Sequence, residues 1–206
     1  AQGQRKDVLI RESGKYDILL KNGYVIDPAN NINGMMDVAV ADGKIALAAQ
    51  NIPAGDSKRT VDVSGLYVTP GILDIHAHVY HGFPIGVRSV IPDDICFNAG
   101  TTTVVDAGTS GVESFEGMKN IIDNSRMRIL AFINIAAPGM TDAEQDPRQF
   151  KVPPMVELAK KHPDVIVGFK TAHYWWQGPY DELHTPWASV DALLDAGRRA
   201  NLPVMI

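Results

Sequence analysis

The residues with the clearest chemical potential are two histidines separated by one residue. His76 and His78 end a short apolar run, and Asp74 lies two positions before the first of them. If that run is a β-strand, side chains at positions i and i+2 point to the same face, so both imidazoles can reach one ion. Neutral imidazole is a ligand for zinc, iron and nickel. The spacing indicates a metal site, although two packed histidines with satisfied hydrogen bonds would give the same pattern.

Other polar residues follow apolar runs and are weaker candidates. Asp106 ends a second run, where a structural role is favoured over a functional one. Asp74 could hydrogen-bond backbone near the site or orient a ligand, and neither role is preferred. Residues 108–111, Gly-Thr-Ser-Gly, resemble an anion-binding turn but lack the glycine spacing of a dinucleotide-binding loop. We expect His81 to be a loop residue rather than a ligand.

The elements that would position these residues fall into two parts. Residues 1–69 are predicted to form part of a small β-sandwich, because apolar runs flank the pairs Asn22-Gly23 and Asp42-Gly43, each typical of a hairpin turn. Residues 70–206 instead alternate β-rich runs with helix-like stretches, which is typical of βα units and a parallel sheet covered on both faces. The predicted strands are 72–75, 102–105, 129–135, 165–169 and 203–206, and the predicted helices are 93–99, 115–124, 154–161 and 190–200.

Composition and charge exclude several classes of protein. The 206 residues are 45% hydrophobic and 21% charged, which is typical of a folded protein. No run approaches the roughly 20 apolar residues of a membrane span, so we expect no membrane partner. The net charge of −5 argues against nucleic acid as a partner. Cys96 is the single cysteine, so the chain holds neither an internal disulfide nor a thiolate metal cluster.

Five stretches together resemble the metal-dependent amidohydrolase superfamily, and within it the deacetylase and dihydroorotase-like branch. The most specific is Thr-Pro-Gly-Ile-Leu-Asp-Ile-His-Ala-His at residues 69–78. The others are residues 17–28, 37–45, 99–108 and 167–173, and the resemblance covers essentially the whole chain. It implies an α/β fold: the first half of a (β/α)₈ barrel, preceded by part of a β-sandwich and ending within the fifth strand.

The resemblance also implies roles for individual residues. His76 and His78 correspond to two ligands of one metal, and Lys170 to a lysine that CO₂ carboxylates, that bridges two divalent ions, most simply zinc, and that serves catalysis. The alternative for Lys170 is an unmodified lysine paired with a carboxylate. His173 and Trp175 lie just beyond it. The aromatic residues there, Tyr174, Trp175 and Trp176, could form a substrate wall with His173 as a polar contact, or could simply cover the barrel rim.

The function implied is that of a hydrolase in which metal-activated hydroxide attacks an amide, cyclic amide or ester of a small molecule, with deacetylation favoured. The alternative is a non-catalytic scaffold or binding protein on a truncated amidohydrolase fold. The remaining metal ligands are expected beyond residue 206, so the 206 residues alone are expected to be inactive. The expected partners are the C-terminal half of the fold and further copies of the protein in a homo-oligomer. The start at Ala1 is compatible with signal cleavage or with trimming, and an exported, periplasmic location is favoured over the cytoplasm.

Overall fold

The chain folds into two compact units, residues 1–70 and 71–206. A computed structural model describes residues 8–10, 14–82 and 88–206. Within these ranges, the helices are too short or too polar to cross a membrane.

The first unit is a six-stranded mixed sheet. Its strands are β1 (Val8–Ile10), β2 (Tyr16–Asp27), β3 (Ile32–Ala41), β4 (Lys44–Ala49), β5 (Ser57–Asp62) and β6 (Tyr67–Val68). They are arranged in the order β1-β5-β2-β3-β4, with β6 paired to β2. Short 3₁₀ turns at Pro28–Asn30 and Ala54–Asp56 connect them. A small buried cluster of Tyr16, Leu19, Ala39 and Ile52 stabilises this sheet.

The prediction of a hairpin turn at Asn22-Gly23 is wrong. β2 continues through both residues, and the register against β3 shifts between Leu20 and Gly23. Asn22 takes a left-handed conformation with φ of 64°, and its N–H donates to the Asp37 carboxylate at 2.8 Å. The pair therefore makes an irregularity within one long strand, and the chain reverses only at Pro28–Asn30.

The prediction of a hairpin turn at Asp42-Gly43 is confirmed. The two residues join β3 to β4, which pair antiparallel on either side of them. Their φ angles are 51° and 69°, as a turn with two left-handed central residues requires.

The second unit is a curled five-stranded parallel sheet with helices between its strands. The strands are β7 (Ile72–Ala77), β8 (Thr101–Ala107), β9 (Arg128–Asn134), β10 (Ile166–Lys170) and β11 (Val204–Met205), in the order β11-β10-β9-β8-β7. The helices are α1 (Pro92–Ile95), α2 (Phe115–Asn124), α3 (Val152–Lys161) and α4 (Ala188–Ala200). The predicted α/β half-barrel is thus confirmed. The helix predicted at 93–99 ends early, at Ile95. Beyond it, Ala99 donates to the carbonyls of both Ile95 and Cys96, and Gly100 donates to that of Phe97, three residues back, as in a turn.

The core of the second unit lies between the sheet and its helices. Met118 of α2, Met155 of α3 and Leu193 of α4 are fully buried, as is Phe169 of β10. β7 departs from the expectation of a sheet covered on both faces. Its apolar side chains Ile72, Leu73 and Ile75 are each more than half exposed, because β7 forms the edge of the sheet.

Candidate metal centre

His76 and His78 lie at the carboxyl end of β7, one in the strand and one just beyond it. The His76 N–H donates to Asp74 Oδ1 at 3.0 Å, so Asp74 binds the local backbone. The two imidazole centroids are 5.7 Å apart, with the ring planes at 75°. Two imidazoles on one tetrahedral zinc ion, each bound at about 2 Å, would have centroids about 5 Å apart. The observed separation is close to that arrangement.

Thr109 connects His78 to a buried carboxylate. Its Oγ1 is 2.8 Å from His78 Nδ1 and donates to Asp106 Oδ2 at 2.9 Å. Asp106 is fully buried and also accepts from the backbone N–H groups of Thr109 and Val79, at 2.7 and 2.9 Å. Because the hydroxyl proton goes to Asp106, the Thr109 oxygen accepts from Nδ1–H of His78. That arrangement leaves His78 Nε2 as the free nitrogen, the form that binds a metal.

Burial shifts the pKa values of Asp106 and His78. It raises the pKa of Asp106, and the hydrogen bonds from Val79 and Thr109 act in the opposite direction. Burial also lowers the pKa of His78; the charge of Asp106 opposes this, and the charges of His76, Lys170 and His173 add to it. A lowered pKa keeps the His78 imidazole neutral, as metal ligation requires.

Lys170 is the last residue of β10 and is only 5% exposed. It packs against Gly108, whose φ is 81°; a Cβ at Gly108 would lie 2.7 Å from both Cβ and Cγ of Lys170. The turn after β8 thus contacts Lys170 through Gly108 and His78 through Thr109. Burial lowers the pKa of Lys170, against the opposing charge of Glu144. None of the ion pairs in the described part of the chain includes Lys170.

A second group of polar residues lies beyond β9. Glu144 is 2% exposed and accepts from Asn134 Nδ2 at 2.9 Å through Oε1. Its Oε2 is 2.8 Å from Nδ1 of His173, whose side chain is 58% exposed. Asn134 also donates to the Gly108 carbonyl at 2.9 Å, which joins this group to the turn that contacts Lys170.

A cavity of about 440 Å³ brings His78 and His173 to one surface. Its other lining residues among those described are Arg88, Met140, Thr141, Asp142, Glu144 and Gln145. Trp175 is 76% exposed and is not among them; its backbone N–H donates to Gln145 Oε1 at 2.8 Å. His81 lines a different, smaller cavity.

The donor chemistry of this region fits part of a metal site. Two imidazoles at i and i+2, one of them with Nδ1 tied to Thr109, present ring nitrogens from one strand end. Lys170 is a buried amine whose lowered pKa favours the neutral form that reacts with CO₂. Over residues 8–10, 14–82 and 88–206, no three His, Cys, Asp or Glu side chains come together as a metal-binding group.

Three of the polar residues around the site were not predicted as site residues, although Thr109 belongs to the segment 108–111 that resembles an anion-binding turn. Thr109 and Asn134 lie at or just beyond the carboxyl ends of β8 and β9, where active sites form in parallel barrels, and that position was a usable signal. Glu144 lies in a 3₁₀ turn well beyond β9, and no local pattern distinguishes it.

Comparison with known proteins gives a consistent set of relatives. No protein-family model matches the chain. A deacetylase of Enterococcus faecalis is 32% identical over 161 residues, which are 75% of this chain and 41% of that protein. Other curated matches are named dihydroorotase and allantoinase. The crystal structure of an adenine deaminase has a TM-score of 0.77 at 25% identity, covering 92% of this chain and 50% of that one. That of a dihydroorotase has a TM-score of 0.70 at 25% identity, covering 91% and 50%.

These matches confirm the resemblance to the metal-dependent amidohydrolase superfamily and its deacetylase and dihydroorotase-like branch. The chain spans about 41% of the length of the deacetylase and half the length of the two solved structures.

Proposed function

We propose that this protein is a metal-dependent hydrolase that cleaves an amide, a cyclic amide or an ester of a small molecule, with deacetylation favoured. The observation that carries the proposal is the turn after β8. Through Thr109 and Gly108 it contacts both His78 and the buried Lys170, so one short segment joins the two strand ends from which ligands are expected. The deacetylase relative supports the choice of reaction.

The residues of this chain would hold and orient the metal ion and its ligands, and would not themselves cleave the bond. His76 and His78 would bind one divalent ion, and Thr109 would keep Nδ1 of His78 protonated so that Nε2 is the ligating atom. The metal, when bound, would supply Lewis acidity and a nucleophilic water at neutral pH. Asp106 would hold the Thr109 hydroxyl in place from the buried side.

Lys170 would provide the bridging ligand after carboxylation. Its neutral amine would attack the carbon of CO₂, so that an N–C bond forms while one C=O π bond opens onto oxygen. One N–H bond then releases its proton to water, which leaves an anionic carbamate. The lowered pKa supports this step, because only the unprotonated amine reacts. The negative charge of the product would offset the repulsion between two nearby cations.

The experiment that tests the proposal pairs metal content with hydrolysis. The His76→Ala and His78→Ala variants should each lose bound zinc and lose hydrolysis of a panel of acetylated amino acids, cyclic amides and esters. His81→Ala is the matched control: His81 is a nearby histidine whose Nδ1 lies 3.3 Å from the Val79 carbonyl and which lines a different cavity, so both properties should be retained. Zinc content and activity that survive both substitutions would refute the roles of His76 and His78. An unsubstituted protein that includes the expected C-terminal half, yet neither binds zinc nor hydrolyses the panel, would favour the non-catalytic scaffold.

A second measurement tests Lys170 directly. With ¹³C-labelled bicarbonate, the protein should show a carbamate carbon signal that disappears in Lys170→Ala. A protein that binds zinc without such a signal would refute carboxylation at Lys170.

A further inference from the structure

Glu144 is a buried carboxylate with a defined partner on each oxygen. It is 2% exposed, Oε1 accepts from Asn134 Nδ2 at 2.9 Å, and Oε2 is 2.8 Å from His173 Nδ1. Burying a carboxylate is costly unless hydrogen bonds compensate it, so both contacts stabilise the ionised form. An ionised carboxylate only accepts hydrogen bonds. The contact with His173 therefore requires the proton to be on Nδ1.

The same short turn also holds the backbone of His173. Gln145, next to Glu144, donates from its side-chain Nε2 to the His173 carbonyl and accepts from the Trp175 N–H at 2.8 Å. Residues 144 and 145 thus fix both the ring and the main chain of the segment after β10. Such double attachment reduces the rotamer freedom of an otherwise exposed side chain, which prepares it for binding a ligand.

His173 and His78 line the same cavity. Its side chain is 58% exposed although Nδ1 is bound to a buried group, so Nε2 is the nitrogen left for a ligand. In a neutral imidazole with the proton on Nδ1, Nε2 carries a lone pair and accepts hydrogen bonds.

We propose that Glu144 is a positioning residue that holds His173 as the Nδ1–H tautomer, so that Nε2 accepts a hydrogen bond from an N–H or O–H group of the substrate. The substrate half of this statement rests on the proposed hydrolase function, and the tautomer half does not. The class of ligand is a small molecule with a hydrogen-bond donor beside its scissile carbonyl, as in a secondary amide or a hydroxy acid ester.

The tautomer is measured by long-range ¹H–¹⁵N NMR spectra of ¹⁵N-histidine protein at a pH where imidazole is neutral. The chain has six histidines, and the His173→Asn variant identifies the signals of residue 173 by their loss. We expect the proton on Nδ1 in the unsubstituted protein. In Glu144→Gln, the amide oxygen can still accept from Asn134 while its NH₂ donates to Nδ1, so the proton should move to Nε2.

The matched control is Glu157→Gln, the same chemical change on an exposed glutamate of α3 that pairs with Lys160 at 2.8 Å. It should leave the His173 spectrum unchanged. A proton on Nε2 in the unsubstituted protein overturns the proposal, even if Glu144→Gln fails to fold. An unchanged tautomer in a folded Glu144→Gln also overturns it.

The substrate contact is tested by steady-state kinetics on an amide or ester that the protein hydrolyses. Asn at position 173 keeps an N–H near the position of Nδ1 but lacks Nε2, so His173→Asn and Glu144→Gln should both raise KM by about tenfold, the loss of one hydrogen bond, with little change in kcat. Unchanged KM in both variants overturns the contact. If a protein that includes the expected C-terminal half hydrolyses nothing, the proposed function is refuted, and the NMR result still decides the role of Glu144.

Discussion

Replacing Thr109 with valine removes the hydroxyl that joins His78 to Asp106 while keeping the shape of the side chain. Thr109 is fully buried, so no solvent can substitute for the lost group. The variant loses a hydrogen bond to a charged carboxylate, which contributes about 1.5–3 kcal/mol, and one to a neutral imidazole, about 1 kcal/mol. The added methyl group returns about 0.8 kcal/mol of hydrophobic burial. We therefore expect a net destabilisation of about 2–3 kcal/mol.

Urea unfolding followed by tryptophan fluorescence is the appropriate assay. Trp175, Trp176 and Trp187 are the three tryptophans of the chain, and all lie in the unit that contains Thr109. The signal therefore reports the unfolding of that unit. With a denaturant slope of about 2 kcal/mol per molar, the midpoint should fall by about 1–1.5 M.

Thr109→Ser provides the control, because it keeps the hydroxyl and loses only a methyl group. It should cost about 1 kcal/mol, clearly less than the valine variant. The reasoning would be refuted if Thr109→Val were as stable as Thr109→Ser or more stable, because the hydroxyl would then contribute nothing. A matching loss of zinc affinity, about 10–100-fold, should accompany Thr109→Val if His78 is a ligand.

Three further predictions concern other positions. Gly108→Ala should displace Lys170, since its Cβ would lie 2.7 Å from that side chain, and should lose more stability and carbamate signal than Gly43→Ala, which shares a positive φ but has open space. In the first unit, burial alone would raise the pKa of Asp37, but its hydrogen bonds, led by that from Lys21, hold the pKa below its ordinary value. Asp37→Asn should therefore lower the free energy of unfolding by about 2 kcal/mol at pH 6, measured by circular dichroism. A carboxylate whose pKa is lower in the folded than in the unfolded protein stabilises the fold at pH values above the unfolded pKa. The difference in free energy of unfolding between the two proteins should therefore shrink as the pH falls below 3.8, and a constant difference would contradict this prediction. Met155→Ala should cost about 2–5 kcal/mol by tryptophan-monitored unfolding, because Met155 is fully buried in the core, and a loss under 1 kcal/mol would contradict that packing.

Much of the fold could be predicted because it follows from local patterns. The parallel strands of the second unit coincide with apolar runs, and α2 covers the predicted residues 115–124. The turn at Asp42-Gly43 follows from two residues that tolerate left-handed backbone. Asn22-Gly23 has the same local preference, yet Asp37, fifteen residues away, binds the Asn22 N–H, and the strand continues. A tertiary contact there outweighs the local turn preference.

The candidate site, like the fold, could be predicted from the sequence only in part. The spacing of His76 and His78 at the end of one apolar run predicts by itself that both imidazoles leave the same strand end. The partners that orient such side chains are distant in sequence: Thr109 is 31 residues from His78, and Glu144 is 29 residues from His173. Hydrogen bonds over such separations depend on how parallel strands align and where the following turns lead. Only the tertiary structure decided that Thr109 and Glu144 hold these two histidines.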